Sequence, residues 1–581
     1  MPLILLLCLL PTVAFAQTPP AWVARSNQNA QLLLDIDARY SPEGAGASGA
    51  SGLDDRVSVI TVDMPERIRA DTRAAAKELQ SRLASEQDPL VRQDLQILID
   101  SADRSVRGSE IGERYFLPYF NAAAVVYSGI SGLLQDQVVE SRRPAALVRL
   151  RKYTGLEPGY TPITLQAEDR YRAKLNVPGL LGPAKARVEK DLAQTETYIT
   201  GIGLLLEKYN LKDYQPAYAA LKEQFAAYDE FVRKEVLPKA RTDFRMPPEV
   251  YAITREGLGL DYTPEELARL AHQSFTQIQG EMQKLATKIA HDRHMPSPSY
   301  RDVVRILKKD QLAGDQILPH YQQRLAEIEA ILRREQLITL PDRPAIIAIA
   351  TAAETAQQPA PHMRPPRMIN NQGERGQFVL PMGTTGEGGK SLKYDDFTFA
   401  AASWTLISHE ARPGHELQFD AMVERGVSLA RAMFAFNSTN VEGWGLYAEW
   451  FMLPYMPDDG KLISLQLRLL RAARAFLDPE LQAGKITPKQ AMKVLQNDVV
   501  CSEAFATEEV DRFTIGAPGQ AGSYFDGFTR LMAIRADAEK ALGQKFNVQR
   551  FHDFILSQGL LPPNLLRKAV MEDFVARERA N

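Results

Sequence analysis

The chain has 581 residues, 45% hydrophobic and 24% charged, with a formal net charge of −3. That length exceeds what one simple core organises, so two or more subdomains are expected. The balanced charge excludes the basic footprint of a nucleic-acid binder and the basic helix of an anionic-lipid binder. Glycine and proline, 36 each, are near average and exclude a disordered chain.

Leu3 to Leu10 form an apolar run, followed by Ala14-Phe15-Ala16 before Gln17. This pattern reads as a signal peptide over residues 1–16, cleaved after Ala16 and too short to span a membrane. A lipid anchor on Cys8 would need small residues before it, where Leu6 and Leu7 stand. The expected product is exported, soluble and periplasmic, with no integral membrane segment. Cleavage removes Cys8 and leaves Cys501, which can form no internal disulfide and reads as a small buried residue.

Gly44 to Gly52, rich in glycine, alanine and serine, reads as a flexible loop or linker. From about 64 to 340 the pattern is helix after helix, for instance Arg73–Ser85, Lys190–Tyr209, Tyr214–Leu237 and Pro264–His291. Thr263-Pro264-Glu265-Glu266 is a helix start with proline at the first position. His291 and His294 have metal-like spacing, but at a helix end before a proline-serine loop they read as solvated caps.

The character changes near 340. Ala345–Ala350 and Gln377–Leu380 read as strands, Gln358–Pro366 as a proline-rich stretch and Gly383–Gly389 as a loop. The edge of such a sheet could pair with an extended peptide. From Phe397 onward the pattern is helical again. The chain therefore divides into an N-terminal helical region, 17–340, and a region with the small sheet and helices, 341–581.

The second region carries Ser408-His409-Glu410-Ala411-Arg412-Pro413-Gly414-His415, with two of the eight histidines. Imidazoles are good zinc ligands, and a carboxylate directly after one can take a proton from a water at the metal. This is the logic of H-E-x-x-H, except that the histidines are six apart rather than four. On an unbroken helix six residues place the rings ~240° apart. Pro413 cannot bond back to His409, and Gly414 accepts unusual backbone angles, so a kink or bulge there is expected to bring the rings together. A third ligand comes from Asn440-Val441-Glu442-Gly443-Trp444-Gly445-Leu446-Tyr447-Ala448-Glu449. Glu442 and Glu449 share a helix face ~10 Å apart, so only one can readily reach a single metal. Glu442 is the favoured ligand, leaving Glu449 to orient a ligand histidine through its free N–H.

His409-Glu410-x-x-Pro413-Gly414-His415-x-x-Gln418 and Glu442-Gly443-Trp444-x-x-Tyr447-x-Glu449 resemble the bacterial domain-of-unknown-function 885 family. Arg468-Leu469-x-Arg471-Ala472-x-Arg474, Pro518-Gly519-Gln520-Ala521-x-x-Tyr524-x-x-Gly527, Phe551-His552-Asp553 and Gly559-x-x-Pro562 continue the resemblance through the C-terminal half. That family is similar to gluzincin-type zinc metallopeptidases, which implies two histidines and a glutamate on the metal. The chain departs from the family's pattern at Glu416, at Gln482 and at Phe513, positions that bear on substrate recognition rather than on the metal set.

The expected fold is mainly α with a small β-sheet, in a clamshell-like metallopeptidase architecture with a deep central cleft. A plain helical bundle is the alternative. The expected function is an exported peptidase holding one zinc ion through His409, His415 and Glu442, with Glu410 as general base acting on a peptide substrate. Tyr524 is a candidate to hold an oxyanion, or else a packing tyrosine. Arg512 is a candidate to hold a substrate carboxylate, or else an ion-pair partner of Glu508 or Glu509. His552 reads as structural. The alternative function is a non-catalytic periplasmic binding protein with a structural metal. Such a site is closed by four protein ligands, often thiolates, and no cysteine lies near these histidines.

Overall fold

A computed structural model describes residues 20–385 and 391–580. The leader over 1–16 and residues 386–389 of the loop expected at Gly383–Gly389 lie outside the described residues. The fold is mainly helical with a small sheet, as the periodicity predicts.

Pro264–Asp292 shows how the sequence sets these helices. Thr263 and Glu266 form a reciprocal capping box, and Pro264 occupies the first turn. Leu267, Ala271, Phe275, Ile278, Met282, Ala286 and Ile289 recur at three and four, and all are buried. This stripe packs along the helix Asp458–Gln482, where Phe275 meets Phe476 edge-on with ring centroids 5.5 Å apart. Asp458–Gln482 is buried on nearly every side, so its charges need partners. Arg474 pairs with Glu509, and Asp478 accepts from the Tyr251 hydroxyl and from the Gly519 N–H. The core around these two helices joins residues on both sides of 340. A second core, rich in tyrosine, lies among helices between 122 and 236, and a third joins Ala21–Tyr40, Met64–Ser85 and Pro89–Tyr115.

The strands add Ile347, Phe378 and Leu380 to the first core. β1 (Ile346–Ile349) pairs parallel with β3 (Gln377–Leu380), and β2 (His362–Arg364) pairs antiparallel with β3 on its other side. All four residues of β3 are buried, as a central strand covered on both faces requires. A second antiparallel pair joins β4 (Gly383–Thr385) to β5 (Ser391–Lys393).

Three expectations are corrected. Gly44–Gly52 is no free linker: Pro42–Ser48 is a short helix with Ala45 and Gly46 buried. Its small residues serve close packing, and Gly49 has φ 114 with room for a Cβ only 1.8 Å from the Ile369 carbonyl oxygen. The helix expected over Tyr214–Leu237 is α-helical only over Gln215–Phe231, then passes through a π-turn and a 3₁₀ turn. The proline-rich stretch hides β2. Pro361 and Pro365 flank it, and proline is tolerated beside an edge strand.

Candidate metal centre

All nine residues of the helix Ala402–Glu410 are buried, so His409 and Glu410 leave it deep inside the protein. The helix does not merely kink after Glu410, as the sequence suggested; it stops. Ala411 has φ −102 and ψ −108, the Arg412–Pro413 peptide is cis, and a new helix begins at His415. Gly414 is required by space: a Cβ there would lie 1.9 Å from the His409 carbonyl oxygen. The turn is held from two sides. Arg412, fully buried, bonds Glu416, Glu329 and the Arg343 carbonyl. The Trp444 indole donates to the carbonyls of Pro413 and Gly414, at 3.0 and 3.2 Å. The result brings the two imidazoles together, with ring centroids 4.6 Å apart.

The helix Ser438–Met452 supplies the carboxylates. Glu442 Oε2 lies 3.4 Å from His409 Nε2 and 3.3 Å from His415 Nε2. It is buried and has no hydrogen-bond partner. Tetrahedral zinc with bonds of about 2.0–2.1 Å needs neighbouring ligand atoms about 3.3 Å apart. Both distances from Glu442 Oε2 match that spacing, and its lack of a hydrogen-bond partner is what a ligand position would leave. Glu410 adds a carboxylate whose oxygen, with the His409 and His415 nitrogens, falls within a 4.8 Å cluster.

One turn pair further along, Glu449 Oε1 lies 2.7 Å from His409 Nδ1. Its other oxygen accepts from Thr405 Oγ1 at 2.5 Å, and Arg471 Nη2 stands 3.4 Å from Oε1. The Glu449 carboxylate at Nδ1 fixes the ring with Nε2 turned toward the site. His409 thus lies along the helix between Glu442 and Glu449, over Gly445. A Cβ on Gly445 would come 2.6 Å from its ring. Gly445→Ala is accordingly expected to displace His409, to weaken metal retention in chelator competition, and to destabilise the fold by about 1–3 kcal/mol through overpacking. Unchanged metal retention would show that the ring has room to move.

The electrostatics match this crowding. Burial opposes charge on His409, but Glu442 and Glu449 outweigh it and push its pKa up to about 9. Burial would likewise raise the Glu442 carboxyl, yet the two imidazoles hold it well below the usual carboxylate range. Glu410 is raised by burial, with His409 and His415 pulling against the shift.

Tyr524, at the start of the helix Ser523–Leu542, stacks toward His409 with ring centroids 6.2 Å apart. Burial raises its pKa and keeps the phenol protonated. The helix approaches so closely because Gly443 meets Gly527; a Cβ on Gly443 would lie 2.6 Å from the Gly527 backbone. Arg512 takes the ion-pair arrangement. Nη2 bonds Glu508 at 3.0 Å, while Nη1 reaches the Tyr524 hydroxyl at 3.4 Å and Gln520 Oε1 at 3.2 Å. Gln520 in turn donates to Glu442 Oε1 at 3.3 Å, steadying the carboxylate whose other oxygen faces the histidines.

Thr405, Gln520 and Gly445 were not singled out as individual residues from the sequence. Gln520 follows Gly519, whose φ of 90 requires glycine, and that Gly-Gln pair was its available signal. The departures Gln482 and Phe513 meet each other: the Gln482 amide donates to the Phe513 carbonyl at 2.8 Å and accepts from the Met246 N–H. Glu416 is buried on Arg412 in the turn. His291 is exposed against Asp292, and His294 is exposed beyond the helix end. His552 is buried between the Leu337 carbonyl and the Tyr447 hydroxyl. Cys501 is buried and free.

Glu410, His415, Glu442, Arg512 and Tyr524 open onto a cavity of about 650 Å³. The opposite lining comes from Arg187, Lys190 and Gln194 of the N-terminal helices and from the 356–365 segment that includes β2.

The described residues thus define a mainly helical protein with a buried histidine–histidine–glutamate cluster in the wall of a large cavity. The chain belongs to the family described as "Bacterial protein of unknown function (DUF885)", which matches residues 42–570. The match runs through the N-terminal helices, beyond the C-terminal motifs that first suggested it. Two solved structures share the fold, both described as a "putative lipoprotein". The one from Colwellia psychrerythraea is 17% identical, with TM-score 0.72 over 95% of this chain and 99% of that one. The one from Shewanella oneidensis, of unknown function, is 17% identical, with TM-score 0.67 over 95% of this chain and 100% of that one. No curated protein matches the chain.

Proposed function

We propose that the protein is an exported zinc-dependent peptidase of gluzincin type, with a clamshell-like cleft around the metal. The observation that carries this reading is Glu442 Oε2, buried, unpartnered and 3.3–3.4 Å from two imidazole Nε2 atoms, beside a second carboxylate on Glu410. His409, His415 and Glu442 would hold one zinc ion. When bound, zinc polarises a scissile carbonyl and lowers the pKa of water toward neutrality.

This chain's own groups would do the rest. Glu410 takes a proton from the attacking water and delivers it to the leaving amine as the C–N bond breaks. The Tyr524 phenol donates a hydrogen bond to the oxyanion that develops at the former carbonyl oxygen. Arg512 holds that phenol and offers charge to a substrate carboxylate. β2 has one unpaired edge and lines the cavity, a setting that suits an extended peptide.

Export is supported by the leader pattern at 1–16 and by the lipoprotein descriptions of both structural neighbours. The periplasm is the proposed compartment. No described helix is long and apolar enough to cross a membrane. The test of function is incubation of the zinc-loaded protein with a mixed peptide library, product termini being read by mass spectrometry. New termini that vanish on chelation are expected; a library left intact would remove the peptidase reading.

A further inference from the structure

Phe436 is the one exposed phenylalanine among the described residues, with 49% of its surface open. It lies in the lining of the cavity that holds Glu410, His415 and Glu442. Its setting is rigid. The neighbouring Asn437 is buried, donates to the Ala435 and Leu560 carbonyls, and caps the Glu442 helix by accepting from the Asn440 N–H. The backbone that carries the ring is thus tied down rather than part of a loose loop.

Part of the same lining is apolar. Phe419 follows His415 by one helical turn, Val441 directly precedes Glu442, and both belong to one small apolar cluster against which Met363 packs. Elsewhere the lining is charged but already paired: Arg187 with Asp191, Lys190 with Asp511, and Arg512 with Glu508. The apolar corner is the part of the wall to which the proposed chemistry gives no role.

We propose that Phe436, with Phe419, Val441 and Met363, forms a subsite for an aromatic or large aliphatic side chain of the peptide next to the scissile bond. The assignment rests on the peptidase reading for its occupant, and on the exposed ring in the lining it shares with Glu410, His415 and Glu442 for its place. Aromatic anchors in such corners commonly set selectivity.

The test compares two peptide series that differ only in carrying phenylalanine or glycine beside the cleaved bond. The wild type should prefer the phenylalanine series. Phe436→Ala should lower that preference roughly tenfold, mainly through KM, and Phe436→Leu should restore most of it. Zinc content, measured in parallel, should be the same in all three proteins. A preference that survives Phe436→Ala, with both series slowed alike, would overturn the subsite. If the wild type cleaves neither series, the peptidase reading falls and binding decides the subsite alone. N-acetyl-phenylalaninamide should then bind more tightly than N-acetyl-glycinamide, with the difference lost in Phe436→Ala; equal binding of the two would overturn it.

Discussion

Glu410→Gln is expected to keep the fold and the metal and to lose hydrolysis by on the order of 10²–10⁴-fold. The amide has the shape of the carboxylate but cannot accept a proton from water. Glu410 sits directly after His409, in the same buried turn, with its carboxylate in the cluster formed by the two imidazoles. It also lines the cavity, so water and substrate can reach it. The substitution therefore separates proton transfer from metal binding. The measurements are zinc per chain and kcat/KM on any peptide the wild type cleaves. Turnover at the wild-type level would take Glu410 out of the mechanism. Loss of zinc together with activity would instead make Glu410 a ligand.

Glu442→Ala and Glu449→Ala are expected to differ sharply although both remove a carboxylate from one face of one helix. Glu442 Oε2 faces both Nε2 atoms, so on the proposed zinc reading its loss removes a ligand. Glu449 faces His409 Nδ1, so its loss frees the ring to rotate and removes a proton acceptor. Loss of an orienting partner typically costs roughly 10–100-fold in metal affinity or activity, and loss of a ligand should cost more. Glu449→Ala carries a second cost, since Thr405 Oγ1 and Arg471 lose their partner in a buried setting. Thermal unfolding would register that cost separately. Chelator competition should rank Glu442→Ala as the weaker binder; the reverse order would place the metal against Glu449.

The helices were legible where local signals agree. Thr263-Pro264-Glu265-Glu266 marks a start, and the three–four apolar spacing that follows marks the buried face, so Pro264–Asp292 differs from its expectation by one residue. The meeting of His409 and His415 was legible for a related reason: proline and glycine at 413 and 414 cannot continue a helix past a ligand six residues on. The form of the break was less legible, because a full stop and a bulge both bring the rings round. Gly44–Gly52 misled because small residues serve a flexible linker and a tight packing contact equally well. What fixes it is Ile369, more than three hundred residues away. The same holds for Gln520 on Glu442 and for Gly445 beneath His409, contacts set by tertiary packing and invisible to spacing along the chain.

The reading depends most on an ion at one place, and crystallographic anomalous scattering at the zinc absorption edge locates it directly. The account predicts a single strong peak about 2.0–2.1 Å from His409 Nε2, His415 Nε2 and a Glu442 oxygen, lost in Glu442→Ala. Zinc-loaded crystals with no peak there, or with the peak at another residue set, would contradict it.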